Sequence, residues 1–463
     1  MSDVETATPT ANPLKTQHEV NKVSLANQLR YGVGSVQLAK QTSNLFRDRQ
    51  GKAAQKLDVR HFNHVLDVDP AQGWVEVEGM TTYADLVDAT LVQQVMPCVV
   101  PQLKSITIGG AVSGIGIESS SFKYGLPHET VLEMDVLTGD GAIVTATPNN
   151  NHRNLFYAIP NSYGTLGYVL RLKVQTIPVK PYVELRHCRY NEPEAFFQAI
   201  GDYMQANGSA DFRADFLDGS VFGPDELYLT VGQFVDDAPY TSDYTYRNIY
   251  YQSIRQREQD FLTVKDYIWR WDTDWFWCSK HILAQNPIIR RLAGRRFLNS
   301  TTYTKIMRWN SRVGLTKKID KARGLYSESV IQDVDIPLQH APDFLRFFLD
   351  QIGITPLWTC PFKAYHTDDE FSLFRTDPAT MYVNFGFWDV VKRRQSYPPG
   401  HFNRLIERKV QELGGIKSLY SDSYFEEDEF WRIYNQPVYD NLKSRYDPDG
   451  VFKNLYQKTV LRA

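Results

Sequence analysis

Gly109, Gly110, Gly114 and Gly116 stand among small hydroxyl residues in the run 109–125, GGAVSGIGIESSSFKYG, where bulkier side chains would block a ligand. Backbone N–H groups in such a segment can converge on an anion, and residues 105–108 read as a strand entering this turn. A dinucleotide fingerprint of the G-x-G-x-x-G type fails, because Gly114 and Gly116 are followed by Ile117, Glu118 and Ser119. A Walker-type loop fails too, since no G-x-x-x-x-G-K-[ST] occurs, which leaves an anion-binding loop or a Gly-rich turn in a β-rich core.

Two further segments favour the ligand reading. Residues 161–169, NSYGTLGYV, form a glycine-bracketed turn through Gly164, Thr165 and Gly167 into an alternating strand, a geometry that lets backbone approach a flat ligand. Earlier, residues 36–40 lead into Gln41, Thr42, Ser43 and Asn44, a hydroxyl- and amide-rich loop suited to pyrophosphate oxygens.

Three such loops in this order resemble the vanillyl-alcohol-oxidase superfamily of FAD proteins. Within it, GIGIESSSFKYG (114–125), LTGDG (137–141), NLFYAIP (154–160), GTLG (164–167), VIQDV (330–334), PLWTCPF (356–362) and EFW (429–431) look like the sterol delta-24 reductase group. The resemblance spans about residues 30–460. It implies an α+β fold: a two-subdomain PCMH-type FAD-binding domain with an α+β cap, or substrate, domain. The expected organisation is a disordered leader over 1–20, an FAD-binding domain over 21–178, a cap over 179–430 and a C-terminal return to the FAD domain over 431–463. The expected cofactor contacts are Thr42, Ser43, Asn44, Gly109, Gly110, Gly114, Gly116, Glu118, Ser119, Ser120, Tyr124, Gly125, Gly164, Thr165 and Gly167. Glu118 would repel a pyrophosphate, so its expected partner is a ribose hydroxyl, backbone amides or an arginine.

The reaction implied is reduction of a carbon–carbon double bond in a lipid, sterol-like or a methylene-branched fatty acyl chain, with NADPH as donor. An FAD-dependent alcohol or acyl-chain oxidase is the alternative, and a flavin-free lipid-binding module a third reading that the glycine loops argue against. Alkene reduction needs a proton donor beside the flavin. The candidates are Glu118, Lys363, His366, Tyr420 and Tyr424, with Asp333 as an orienting partner; Tyr424 is preferred for proton delivery and Lys363 for stabilising charge. Non-covalent FAD is expected, because the first loop has no histidine and residues 109–127 no cysteine.

Composition bounds these readings. The chain has 463 residues, long enough for two or three domains, and its 54 acidic and 51 basic residues give a charge of −3, with no global field that points to nucleic acid. Four cysteines, at 98, 188, 278 and 360, lack C-x-x-C spacing, so reduced thiols and no metal are expected. The polar N-terminus and the lack of an 18-residue apolar run predict a cytoplasmic protein, peripheral to a membrane at most. Residues 267–298 carry tryptophans at 269, 271, 275 and 277 and arginines at 290, 291, 295 and 296. They read either as an aromatic core helix with a basic face or as a surface resting on a bilayer.

Overall fold

The computed structural model of the chain describes residues 12–32, 34–43, 46–47, 55–206, 208–209 and 212–462. Its first element corrects an expectation. Asn12 caps the helix Pro13–Arg30 by accepting from the Leu14 N–H, with proline in the first turn where its missing donor costs nothing. Residues 13–20, expected in a disordered leader, are therefore helical, and the remainder of that leader, 1–11, lies outside the described residues. Apolar side chains hold the helix in place: Leu25 and Leu29 pack on Val36, Leu57, Phe62 and Phe452, and His18 is buried against Glu78 at 2.7 Å.

Two sheets follow. The first has six strands in the order Val65–Asp69, Trp74–Glu78, Tyr168–Pro178, Val131–Leu137, Ile143–Ala146, with Val95–Pro97 pairing the far end of the long central strand. That strand alternates buried and half-buried residues along its length, the period-2 pattern of a sheet covered on one face. A separate parallel pair joins Val36–Ala39 to Gln55–Asp58. The second sheet has eight strands, in the order Gln259–Thr263, Tyr182–Tyr190, Glu226–Val235, Phe216–Gly223, Leu357–Phe362, Tyr382–Arg393, Tyr326–Pro337, Ile416–Lys417. The chain passes from one sheet to the other between Pro178 and Tyr182.

Helices Pro193–Ala206, Ala341–Phe347 and His401–Glu412 cover one face of the large sheet, where Phe196, Ile200, Phe344 and Ile406 meet Val330, Val334 and Phe385. The other face meets the first sheet through a mixed aromatic core. This division sets the site. On Tyr326–Pro337, Val330, Gln332 and Val334 turn to the helices, so Asp333 and Asp335 turn to the opposite face. The last helices, Gln436–Tyr446 and Leu455–Thr459, return to the first sheet, where Lys443 donates to the Thr165 carbonyl and Lys458 to the Tyr163 carbonyl. Among the described residues no helix is long and apolar enough to cross a membrane, and no cluster of histidine, cysteine and carboxylate could hold a metal ion.

Candidate active site

Residues 105–108 do not form the expected strand, and only an isolated bridge joins Thr107 to Thr82. Instead Thr107 caps a short helix, Ile108–Gly114, accepting from the Gly110 N–H at 3.3 Å. Gly109 is required by close approach. Its N–H donates to the Gly79 carbonyl at 2.9 Å, and a Cβ there would lie 2.6 Å from the same oxygen. The turn 161–167 faces this helix, with Tyr163 at φ 53° donating its hydroxyl to the Gly114 carbonyl at 2.6 Å. Arg47 stacks on the Tyr163 ring at 4.7 Å and donates to the Leu419 carbonyl.

These pieces enclose one cavity that runs between the two sheets. Thr42, Ser43, Gly109, Gly110, Gly114, Gly116, Gly164 and Gly167 line one part, with Lys40, Arg47, Lys453 and Lys458. Trp275, Phe276, Trp358, Trp388, Asp333, Asp335, Asn384 and Tyr420 line the other. Asn44 lies outside the described residues.

The remaining expected contacts lie elsewhere. After Ile117 the chain leaves the cavity for the core between the sheets, so Glu118, Ser119, Ser120, Tyr124 and Gly125 are absent from the cavity wall. Glu118 pairs with Arg270 at 2.8 Å, and Arg270 reaches Asp218 at 3.2 Å; of the expected partners for Glu118, an arginine and a backbone amide, that of Ser119, are present. Burial pushes the Glu118 carboxyl above its ordinary range, against the pull of Arg270. Removing the guanidinium would strand two buried carboxylates. Arg270→Met is expected to lose about 3–5 kcal/mol of stability, read by denaturant unfolding.

Thr165 turns its hydroxyl to the Ser162 carbonyl. Tyr424 packs against Gly400 and under Arg462, with its N–H on the Glu407 carboxylate, because the buried Lys417–Glu407 pair draws this turn away from the cavity. Lys363 follows the end of Leu357–Phe362, five residues past Trp358 and roughly 16 Å along the strand, and donates to the Met204 carbonyl. Neither preferred catalytic residue reaches the cavity. His366 lies in a separate pocket beside His128 and Glu129.

Tyr420 and Asp333 do reach it. Trp388 Nε1 donates to the Tyr420 hydroxyl at 3.0 Å, and Tyr420 is hydrogen-bonded to Asp333. Gly386, the cross-strand partner of Asp333, makes room for this group: a Cβ there would lie 2.6 Å from the Trp388 ring and 2.7 Å from Asp333 Oδ1. Burial pushes Asp333 up to about 7 and Asp335 up to about 8, and Asn384 donates to Asp335 at 2.9 Å. Sequence reasoning missed Asp335 and Asn384, although the period-2 spacing of Asp333 and Asp335 on one strand was a usable signal.

For the four tryptophans the structure selects the core reading over the bilayer one. Trp269, Trp271, Trp275 and Trp277 are all buried, with Phe276 stacked on both Trp271 and Trp388, so they form core and cavity wall. Arg290 is buried as well, paired with Asp274 at 2.7 Å.

Residues 31–147 match a family model described as an FAD binding domain. Over 409 residues the chain is 28% identical to the Delta(24)-sterol reductase of Rattus norvegicus, covering 85% of this chain and 75% of that protein. It is 27% identical to that of Homo sapiens over 408 residues, with the same coverage, and 25% identical to that of Arabidopsis thaliana over 435 residues, 87% of this chain and 76% of that protein. Residues 31–147 thus carry an FAD-binding domain, and the chain is similar over most of its length to delta(24)-sterol reductases of animals and plants. It is an FAD-binding oxidoreductase related to the delta(24)-sterol reductases.

The cavity lining fits FAD on its own chemistry. Hydroxyls, glycine backbone and four cationic side chains suit a pyrophosphate. Gln102 Nε2, Asp333 Oδ1 and Asn384 Oδ1 line the same cavity, are shielded from water and make no hydrogen bond, which leaves donor and acceptor capacity for a heteroaromatic ring.

Proposed function

We propose that the protein reduces a carbon–carbon double bond in a lipid, with NADPH as electron donor and Asp333 as the source of the proton. The observation that carries this reading is the acid pair Asp333–Tyr420 in the same cavity as the glycine loops. When bound, FAD supplies a hydride to one carbon of the alkene. Asp333, pushed up to about 7, keeps its proton below that pH and delivers it to the other carbon. Tyr420, whose hydroxyl is held far above its ordinary pKa by burial, stays protonated and orients Asp333. Trp275, Phe276, Trp358 and Trp388 exclude water and offer an apolar wall to a hydrocarbon chain, which supports a lipid over a polar alkene. Thr42, Ser43, Lys40 and Arg47 would hold the pyrophosphate, with the backbone of Gly109 and Gly110 beside them. Gln102 Nε2 and Asn384 Oδ1, which have no hydrogen-bond partner in the protein, are suited to the ring.

The test is turnover. Protein with NADPH and either a sterol bearing a side-chain alkene or a methylene-branched acyl lipid is expected to give a product heavier by two hydrogens, read by mass spectrometry. Oxidation of a lipid alcohol with no such product would support the oxidase reading instead.

The described residues that line the cavity include no histidine or cysteine, which supports non-covalent flavin. Acid precipitation is expected to leave a colourless pellet and a yellow supernatant; a yellow pellet would contradict this.

A further inference from the structure

Three consecutive helices, Pro287–Phe297, Ser300–Val313 and Leu315–Ala322, carry an apolar and basic surface that the site does not use. Half of the exposed large apolar side chains among the described residues fall within 283–319, including Ile288, Leu292, Phe297 and Trp309 at 71%, 82%, 56% and 55% exposure. Ile288 and Leu292 are four residues apart on one helix and Ile306 and Trp309 three apart on the next, so each pair shares a face. Soluble surfaces scatter such residues singly, and a concentration of this kind marks an interaction surface.

The charge of the segment selects the partner. Residues 283–325 contain seven arginines, four lysines and a single acidic residue, Asp320, in a chain whose overall charge is −3. Asp320 is buried and paired with Lys392, so it does not offset the surface. Among the described residues no carboxylate pairs with Arg291, Arg296, Lys305, Lys318, Lys321 or Arg323, all of them exposed. Exposed apolar side chains interleaved with unpaired cations suit an anionic bilayer, where rings and aliphatic chains enter the headgroup boundary and cations meet phosphates.

We propose that residues 283–323 dock the protein on an anionic phospholipid surface. The same segment is anchored to the cavity wall: Arg290 pairs with Asp274, Ser300 donates to Asp272, and Tyr303 donates to the Thr273 carbonyl. Residues 272–274 lead directly into Trp275 and Phe276, which line the cavity. Docking therefore acts on the element next to the site, whichever lipid the enzyme reduces.

The test is flotation of the full chain with vesicles of equal parts phosphatidylcholine and phosphatidylglycerol, against phosphatidylcholine alone. The wild type is expected to float with the anionic vesicles, less so at high salt, and weakly with the neutral ones. The variant Leu292→Ser/Phe297→Ser/Trp309→Ser is expected to keep its flavin and lose binding by about tenfold or more. Should that variant fail to fold, the pair Lys318→Glu/Lys321→Glu, on the polar face, is expected to weaken binding to anionic vesicles alone. Absence of flotation by the wild type overturns the proposal, as does unchanged binding by either variant. A wild-type dimer that the triple substitution converts to monomer while flotation persists would instead assign the face to a second copy of this chain.

Discussion

Asp333→Asn is expected to slow alkene reduction by about a hundredfold to ten-thousandfold, the usual contribution of a positioned general acid, while flavin content and its reduction by NADPH persist. The asparagine keeps the shape and the place beside Tyr420 but has no proton to give. The sign of the pH dependence follows from the raised carboxyl. Asp333 holds its proton below about 7 and loses it above, so wild-type kcat/KM falls as pH rises through that value. The falling limb is expected to vanish in the variant. A variant with normal turnover, or one that keeps the limb, would move the proton source to another group, with Asp335 next in line.

Gly109→Ala is expected to yield protein without flavin. The added Cβ would lie 2.6 Å from the Gly79 carbonyl oxygen and 3.1 Å from its Cα, and backbone atoms cannot swing aside as a side chain does. Gly79 cannot retreat either, since its N–H is bonded to the Leu170 carbonyl on the long central strand. The helix Ile108–Gly114 must therefore shift as a unit and carry the cavity wall with it. A loss of about 3 kcal/mol in flavin affinity, roughly a hundredfold in Kd, is expected from absorbance ratios after purification. Gly110→Ala serves as the contrast. Its Cβ would meet the Thr107 hydroxyl at 2.8 Å, and that side chain can rotate at the expense of the cap, about 1 kcal/mol, with flavin retained.

The glycine loops were legible in the sequence because close backbone approach excludes every other residue, and that constraint is local. Two other features were readable but overlooked. Asn12 followed by Pro13 is a helix start whatever the polarity of the surrounding residues, and the alternation of Val330, Gln332 and Val334 with Asp333 and Asp335 separates a core face from a cavity face. Other features were not local at all. Tryptophans beside arginines look alike in a membrane interface and in a core; burial decides, and it depends on Trp358 and Trp388, roughly a hundred residues away. The choice between Tyr420 and Tyr424 turns on an irregular segment without periodicity, where the buried Lys417–Glu407 pair sets the path. An arginine was among the expected partners of Glu118, but which arginine was not readable, because it lies 152 positions along the chain.

The visible spectrum of the purified protein, recorded anaerobically before and after NADPH and again after an unsaturated lipid, follows the electrons from donor through flavin to alkene. A flavin band that NADPH bleaches and the lipid alkene restores without oxygen is expected. A colourless protein, or a flavin band that NADPH leaves oxidised and a lipid alcohol bleaches, would contradict it.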